Sequence, residues 1–341
     1  MRLFLLTTLT LIAFAANSVL GRMAIGSGDA PLIDPASYSA VRLASGAVML
    51  AVLVALSGSG QSRSPRLRSG SWISAFALFA YAVAFSYAYV ALETGIGALI
   101  LFACVQATMI GWALKEGDRP SGHEWIGLAV AFGAFVWLVS PGLSAPDPSA
   151  AALMAISGIA WGVYSLRGRG LPDPLKATAD NFMRSLAFLI PLGVVVLLAG
   201  TGVHASESGL LLAALSGAVT SGLGYALWYR VLRQIGATQG AIVQLTVPVI
   251  AAIGGTLFLA EGWTLRLIVS SSRSSPSNAV REGWLFSAFC ATCRSAPARC
   301  SATVPRGRAR PLHSARWRGC LHRSAHRGRS RETLRPGWCG R

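Results

Sequence analysis

The chain has 341 residues, of which 53% are hydrophobic and only 13% are charged. Soluble domains carry about a quarter charged residues, and the apolar runs here are too long for a soluble core to hide, so a water-soluble globule is excluded. The net charge of +17 is uneven: residues 270–341 hold fifteen arginines, no lysine and two acids, while residues 1–269 hold fifteen basic and eleven acidic residues. The extreme basicity thus belongs to the last segment, and the body is close to an ordinary membrane-protein balance. Of the six cysteines only Cys104 lies in the body, which excludes a disulfide framework there.

Nine apolar stretches approach the ~20 residues needed to cross a bilayer. In chain order they are about 3–25, 36–57, 72–92, 95–114, 124–140, 149–166, 178–199, 209–229 and 239–260. The first has a second reading as a signal peptide, since Arg2 precedes an apolar run. That run continues past the point where a signal ends, which favours a span.

The connecting segments set an orientation. Arg63, Arg66 and Arg68 follow the second stretch, Lys115 and Arg119 the fourth, Arg167, Arg169 and Lys176 the sixth, and Arg230 and Arg233 the eighth. The intervening segments 26–37, 93–95, 141–148 and 200–208 contain no lysine or arginine. Positively charged loops stay cytoplasmic, so the N-terminus is expected inside, in a multi-pass protein of a bacterial inner membrane.

Sliding the chain along itself by about 143 residues brings its halves into register. Arg42 then falls near Arg184, Ala98-Leu99-Ile100 on Ala241-Ile242-Val243, Val105 on Pro248 and Asp118 on Glu261. An offset of five spans, an odd number, places the halves in opposite orientations, a common transporter architecture with the site between repeats. The stretch Ala91 to Ile100, ALETGIGALI, resembles the third-to-fourth helix junction of an EamA-type unit of the drug/metabolite transporter superfamily. Gly236 to Pro248, GATQGAIVQLTVP, followed by Glu261, resembles its counterpart in a second unit. The resemblance implies an all-α polytopic bundle of two inverted five-helix repeats, 1–143 and 144–269, with the tenth helix disrupted. It also implies carriage of small metabolites, amino acids or drugs, often as export. A small-molecule substrate and membrane lipid are the implied partners; a homodimer is compatible with it, and neither cofactor nor nucleic acid is called for.

Polar groups inside apolar spans are expensive and mark candidate sites. Arg42 and Arg184, related by the repeat, have two readings. They hold an anionic part of a substrate from opposite sides, or Arg184 pairs with Asp180 one turn earlier while Arg42 snorkels to the interface. Asn17, Gln106 and Gln244 are amides in apolar runs that either line a cavity or bond neighbouring helices. Asn17 aligns with Trp161 in the repeat, which favours a cavity position for both. Tyr81, Phe85 and Tyr89 form a stripe at helical spacing, repeated by Tyr225 and Tyr229. Stripes of this kind serve packing more often than ligand contact. Gly158 with Gly162 and Gly217 with Ser221 are small-residue pairs of helix-contact type. The candidate substrate-binding set is therefore Asn17, Arg42, Tyr81, Gln106, Trp161, Arg184, Tyr225 and Gln244.

No carboxylate pair, zinc-protease motif or phosphate-binding glycine loop is present, and His123 and His204 fall between spans. A membrane enzyme is thus the weaker alternative to a transporter; a non-functional truncated transporter is another. After Val269 the chain turns abruptly to serine and arginine, with six serines in residues 270–277. Cys290, Cys293, Cys300 and His313 have partial zinc-ligand spacing, and the arginines have nucleic-acid character, but neither suits a chain that breaks off inside an expected helix. The break reads instead as a frameshift. If those serines use TCN codons, the frame two bases later reads NTC, which encodes only Phe, Leu, Ile or Val. Residues 270–341 are accordingly expected to be a tail without a compact core.

Overall fold

Three helices open on the same pair of residues. Asp34, Asp147 and Asp173 each precede a proline and cap a helix: Asp34 accepts from the Ala36 and Ser37 amides at 3.1 and 2.9 Å, Asp147 from Ala150 at 2.8 Å and Asp173 from Lys176 at 3.1 Å. The carboxylate satisfies orphan N–H groups while proline at the first helical position has none to satisfy.

The computed structural model describes residues 2–26, 31–57, 70–117, 122, 146–169, 171–235 and 237–261. They all belong to one unit, Met1–Ala296; a second, Pro297–Arg341, contains none of them. Apart from one isolated bridge, Ile33 with Ala205, their regular structure is helical. The helices are α1 (Arg2–Ile25), α2 (Pro35–Leu56), α3 (Trp72–Ala88), α4 (Thr94–Lys115), α5 (Pro148–Gly168), α6 (Pro174–Leu198), α7 (Glu207–Leu232) and α8 (Gln239–Leu259). Seven are long and apolar enough to span a bilayer, and α3, with 17 residues, is the shorter eighth. The expected fifth span, 124–140, lies outside the described residues, as does the tail from 270 onward. The protein is an all-α, multi-pass membrane bundle, because helices satisfy every backbone group where lipid cannot.

Three helices are irregular, two of them for a legible reason. Pro191 cannot donate to Ala187, and Pro248 cannot donate to Gln244; 3₁₀ turns sit next to them at Leu186–Phe188 and Gln244–Thr246. In α7 a small-residue run, Ser216–Leu223, is wound as a π-helix, a geometry often found at functional positions.

Helix α1 packs on α7 and α8, α2 on α6 and α7, α3 on α5 and α6, and α4 on α5 and α8. Gly158 lies on Leu101 and Cys104, and Gly162 on Thr108, so α4 and α5 run parallel in close contact. The described ends of the chain between them therefore lie at opposite ends of the bundle. Apolar side chains such as Leu5, Val48, Ile73, Ile190 and Leu257 face outward, whereas Asn17, Arg42, Gln106 and Gln244 are buried. That inversion of the soluble pattern is what a lipid solvent imposes.

The tightest of these contacts joins α2 to α7. A Cβ on Gly217 would overlap the Arg42 carbonyl and Ser45 Oγ, while one on Gly111 would meet nothing among the described residues. Gly217→Ala is expected to cost ~1–3 kcal/mol through overpacking, and Gly111→Ala to be neutral or mildly stabilising. Thermal unfolding of the detergent-solubilised variants, followed by size-exclusion fluorescence, checks the contrast.

Candidate functional site

A cavity of about 10 Å³ lies in the middle of the bundle, lined by Phe14, Asn17, Tyr81, Leu101, Phe102, Trp161 and Tyr225. That is about the space of a single water, so the helices are closed around it. Its polar edge is built from three elements. On α1, Asn17 donates to the Tyr81 hydroxyl at 3.2 Å and accepts from Ser216 Oγ at 2.7 Å and Thr220 Oγ1 at 3.1 Å. The π segment of α7 supplies both hydroxyls, and Ser221 on the same segment accepts from Arg42 Nε at 3.2 Å.

Arg42 sits seven residues into α2, about 10 Å along its axis, and is only 1% exposed. It does not snorkel. Its Nη2 donates to the Tyr81 hydroxyl at 2.7 Å and the Tyr225 hydroxyl at 3.4 Å, and its guanidinium lies 4.9 and 4.7 Å from the Tyr81 and Phe85 ring centres. Two of the cavity's own wall residues are thus Arg42's hydrogen-bond partners.

The remaining wall is aromatic. Trp161 stands 4.4 Å from Tyr225, 5.3 Å from Tyr81 and 5.5 Å from Phe14, centre to centre. Its indole N–H donates to Gln244 Oε1 at 3.4 Å, and Gln244 donates in turn to the Gly240 carbonyl at 3.1 Å. Gln106 donates to the Ala241 carbonyl at 3.3 Å and leaves its buried Oε1 without a partner among the described residues. The structure therefore gathers Asn17, Tyr81, Trp161 and Tyr225 on the cavity, with Arg42 and Gln244 one bond behind and Gln106 on the neighbouring α4–α8 contact. Arg184 is elsewhere, half-buried over the Trp72 ring at 5.5 Å, and Asp180 accepts from the Gly70 amide at 3.3 Å. Phe14, Phe102, Ser216 and Thr220 join the site without any sequence signal. Ser221 had one only as half of a packing pair.

One end of the bundle is tied by charge. Arg22, near the end of α1, pairs with Glu261 at 3.3 Å and donates to the Tyr89 and Val90 carbonyls at 2.9 and 3.2 Å. Glu261 also accepts from the Thr94 amide at 2.9 Å, at the start of α4. Ala260, just before it, adopts a left-handed φ of 54°, a strained conformation for alanine. It turns the chain so that the Glu261 carboxylate meets both partners. At the other end Tyr229 donates to the Tyr164 carbonyl at 3.1 Å, and Gly168 leaves room for its ring.

The pattern of the EamA-like transporter family matches residues 148–272. An uncharacterized protein of Pseudomonas aeruginosa is 48% identical over 267 residues, 78% of this chain and 89% of that protein. The chain belongs to the EamA-like transporter family. An uncharacterized transporter of Archaeoglobus fulgidus is 22% identical over 70% of this chain and 85% of its own length. A protein crystal structure superposes with a TM-score of 0.58 over 80% of this chain and 96% of that one, at 17% identity, which speaks for the fold alone. The EamA-family chain is thus a multi-pass membrane transporter.

Glu93, at the cap of α4, has one oxygen buried without a hydrogen-bond partner among the described residues and lies beside Glu261. Burial first, and the Glu261 charge second, hold its carboxyl above the usual range, partly offset by Arg22. An acid with a raised native pKa is least comfortable when ionised, so it destabilises the fold at neutral pH and the penalty disappears as pH falls through that pKa. Glu93→Gln should therefore raise the unfolding midpoint slightly at neutral pH, and the gain over wild type should vanish in acid. Parallel melts across that range test both halves of the expectation.

Proposed function

We propose that the chain carries small metabolites or drugs across the bacterial inner membrane by alternating access, through the cavity between α1, α3, α5 and α7, with its N-terminus in the cytoplasm. The observation that carries this reading is the enclosed, polar-edged aromatic cavity, with side-chain closures towards both ends of the bundle. Its 1–143 and 144–269 segments act as two inverted units. Supporting that division, helix contacts repeat when the halves are exchanged: α1 on α7 mirrors α5 on α3, and α1 on α8 mirrors α5 on α4. The same exchange relates Asn17 to Trp161 and Tyr81 to Tyr225, and both pairs converge on the cavity. Opening on one side then means loosening the Arg22–Glu261–Thr94 tie, and on the other the Tyr229–Tyr164 contact.

Cysteine placed at Asn17, Trp161 or Tyr225, in a background with the six native cysteines replaced, should react with small polar thiol reagents applied from either side of inverted and right-side-out vesicles, whereas Gln106, on the α4–α8 contact, should be protected. Protection of all three wall positions from both sides means that they are packing residues and that the cavity is no pathway.

Residues 270–341 contribute nothing to transport in this reading. The family match stops at residue 272, beside the compositional break at 270. Ordering costs ~1–2 kcal/mol per residue for the backbone alone, and this segment has few contiguous apolar residues to offset it. Truncation after Val269 is expected to leave folded yield and flux in proteoliposomes unchanged, and restoration of the alternative reading frame to raise both. Loss of folding on truncation, or zinc binding in a defined stoichiometry, makes the segment a domain in its own right.

A further inference from the structure

Arg42 is a fully buried cation whose side-chain partners among the described residues are all uncharged. They are the hydroxyls of Tyr81, Tyr225 and Ser221 and the rings of Tyr81 and Phe85. Its Nη1 is buried and has no hydrogen-bond partner among the described residues. Every Asp and Glu among those residues lies at a helix terminus or, in the case of Asp180, on the Gly70 amide at the bundle end. A buried charge lacking its counter-charge is strongly unfavourable. Hydroxyls and π faces compensate only in part, because none of them carries a negative charge.

We propose, resting on the transporter reading above, that the missing counter-charge is the substrate's own, and that this transporter selects small monocarboxylates with an apolar or aromatic body. Tyr81 and Tyr225 connect the guanidinium to the cavity, since each bonds Arg42 and each lines the wall. A carboxylate entering there replaces the tyrosine hydroxyls as the acceptor of the guanidinium N–H groups, or accepts hydrogen bonds from the hydroxyls that Arg42 polarises. Phe14, Phe102 and Trp161 then face the remainder of the molecule, as apolar walls do in small-molecule sites. Cations are disfavoured for the same reason: the wall offers them π faces, but Arg42 stands directly behind it with like charge, and no described carboxylate is near. Asn17 completes the edge. With its carbonyl committed to Ser216 and Thr220, it presents N–H towards Tyr81, a donor and not an acceptor.

The test uses the full 341-residue chain in lipid nanodiscs and three aromatic probes of similar size but different charge: benzoate, benzamide and benzylamine at matched ionic strength. Benzoate should raise the unfolding midpoint and quench tryptophan fluorescence saturably, while benzamide and benzylamine do neither. Arg42→Gln should weaken benzoate on the order of tenfold or more. Arg42→Lys, which keeps the charge but not the planar fork, should retain the preference for the anion at lower affinity. Should Arg42→Gln fail to fold, the wild-type charge series and Arg42→Lys decide alone. Equal responses to all three probes, no response to benzoate, or a benzoate response unchanged in Arg42→Gln overturns the proposal. Counterflow of labelled benzoate in proteoliposomes separates it from the transporter reading. Charge-selective binding without flux leaves the anion site standing and removes the transport pathway. Flux of neutral or cationic compounds that ignores Arg42→Gln does the reverse.

Discussion

The close approach of α2 and α7 at Gly217 organises the centre of the bundle, because it lets a helix rich in hydroxyls lie directly on a helix carrying an arginine. With no side chain at Gly217, the Arg42 carbonyl and Ser45 meet the backbone of α7. The π winding over Ser216–Leu223 then turns Ser216 and Thr220 towards Asn17 while Ser221 reaches Arg42. Water supplies none of these partners inside a bilayer, and each unsatisfied polar group there costs several kcal/mol. The polar interior is therefore tolerable only as a connected set, and Gly217 is the position that allows α2 and α7 to share it.

The two ends of the bundle are held by different physics. Arg22 and Glu261 share their hydrogen bonds with backbone groups of the α3–α4 turn and the start of α4. The pair is largely buried and both members are further hydrogen-bonded, so removing one partner leaves a charge without compensation. The opposite end relies on Tyr229 seated against Gly168 and the Tyr164 carbonyl, a packed and uncharged contact. Under the alternating-access mechanism proposed above, these are the two contacts that opening at one end or the other has to release.

The membrane spans and the family resemblance were legible in the residues because each is a property of local composition. An apolar run of bilayer length admits one backbone solution, and the Asp-Pro pairs before α2, α5 and α6 announce where helices begin. Asn17, Tyr81, Trp161 and Tyr225 were recognisable as site candidates because polar and amphipathic groups in apolar runs are costly and stand out. Phe14 and Phe102 carried no such mark, since an aromatic residue in a lipid-spanning helix is equally suited to facing lipid, a neighbour or a cavity.

Arg42 and Arg184 mark the boundary between the two kinds of information. In sequence they are near-equivalents of a repeat, each about as deep in its span as the other. Arg42 turns inward because α7 offers hydroxyls across a glycine contact, whereas Arg184 lies over Trp72. The sequence by itself determined that the chain crosses a membrane many times and which residues were too polar to sit there idly. Which of them meet, and which charge finds only uncharged partners among the described residues, was decided only in the tertiary structure. Burial and pairing depend on what neighbouring helices present, and no run of residues records that along its own length.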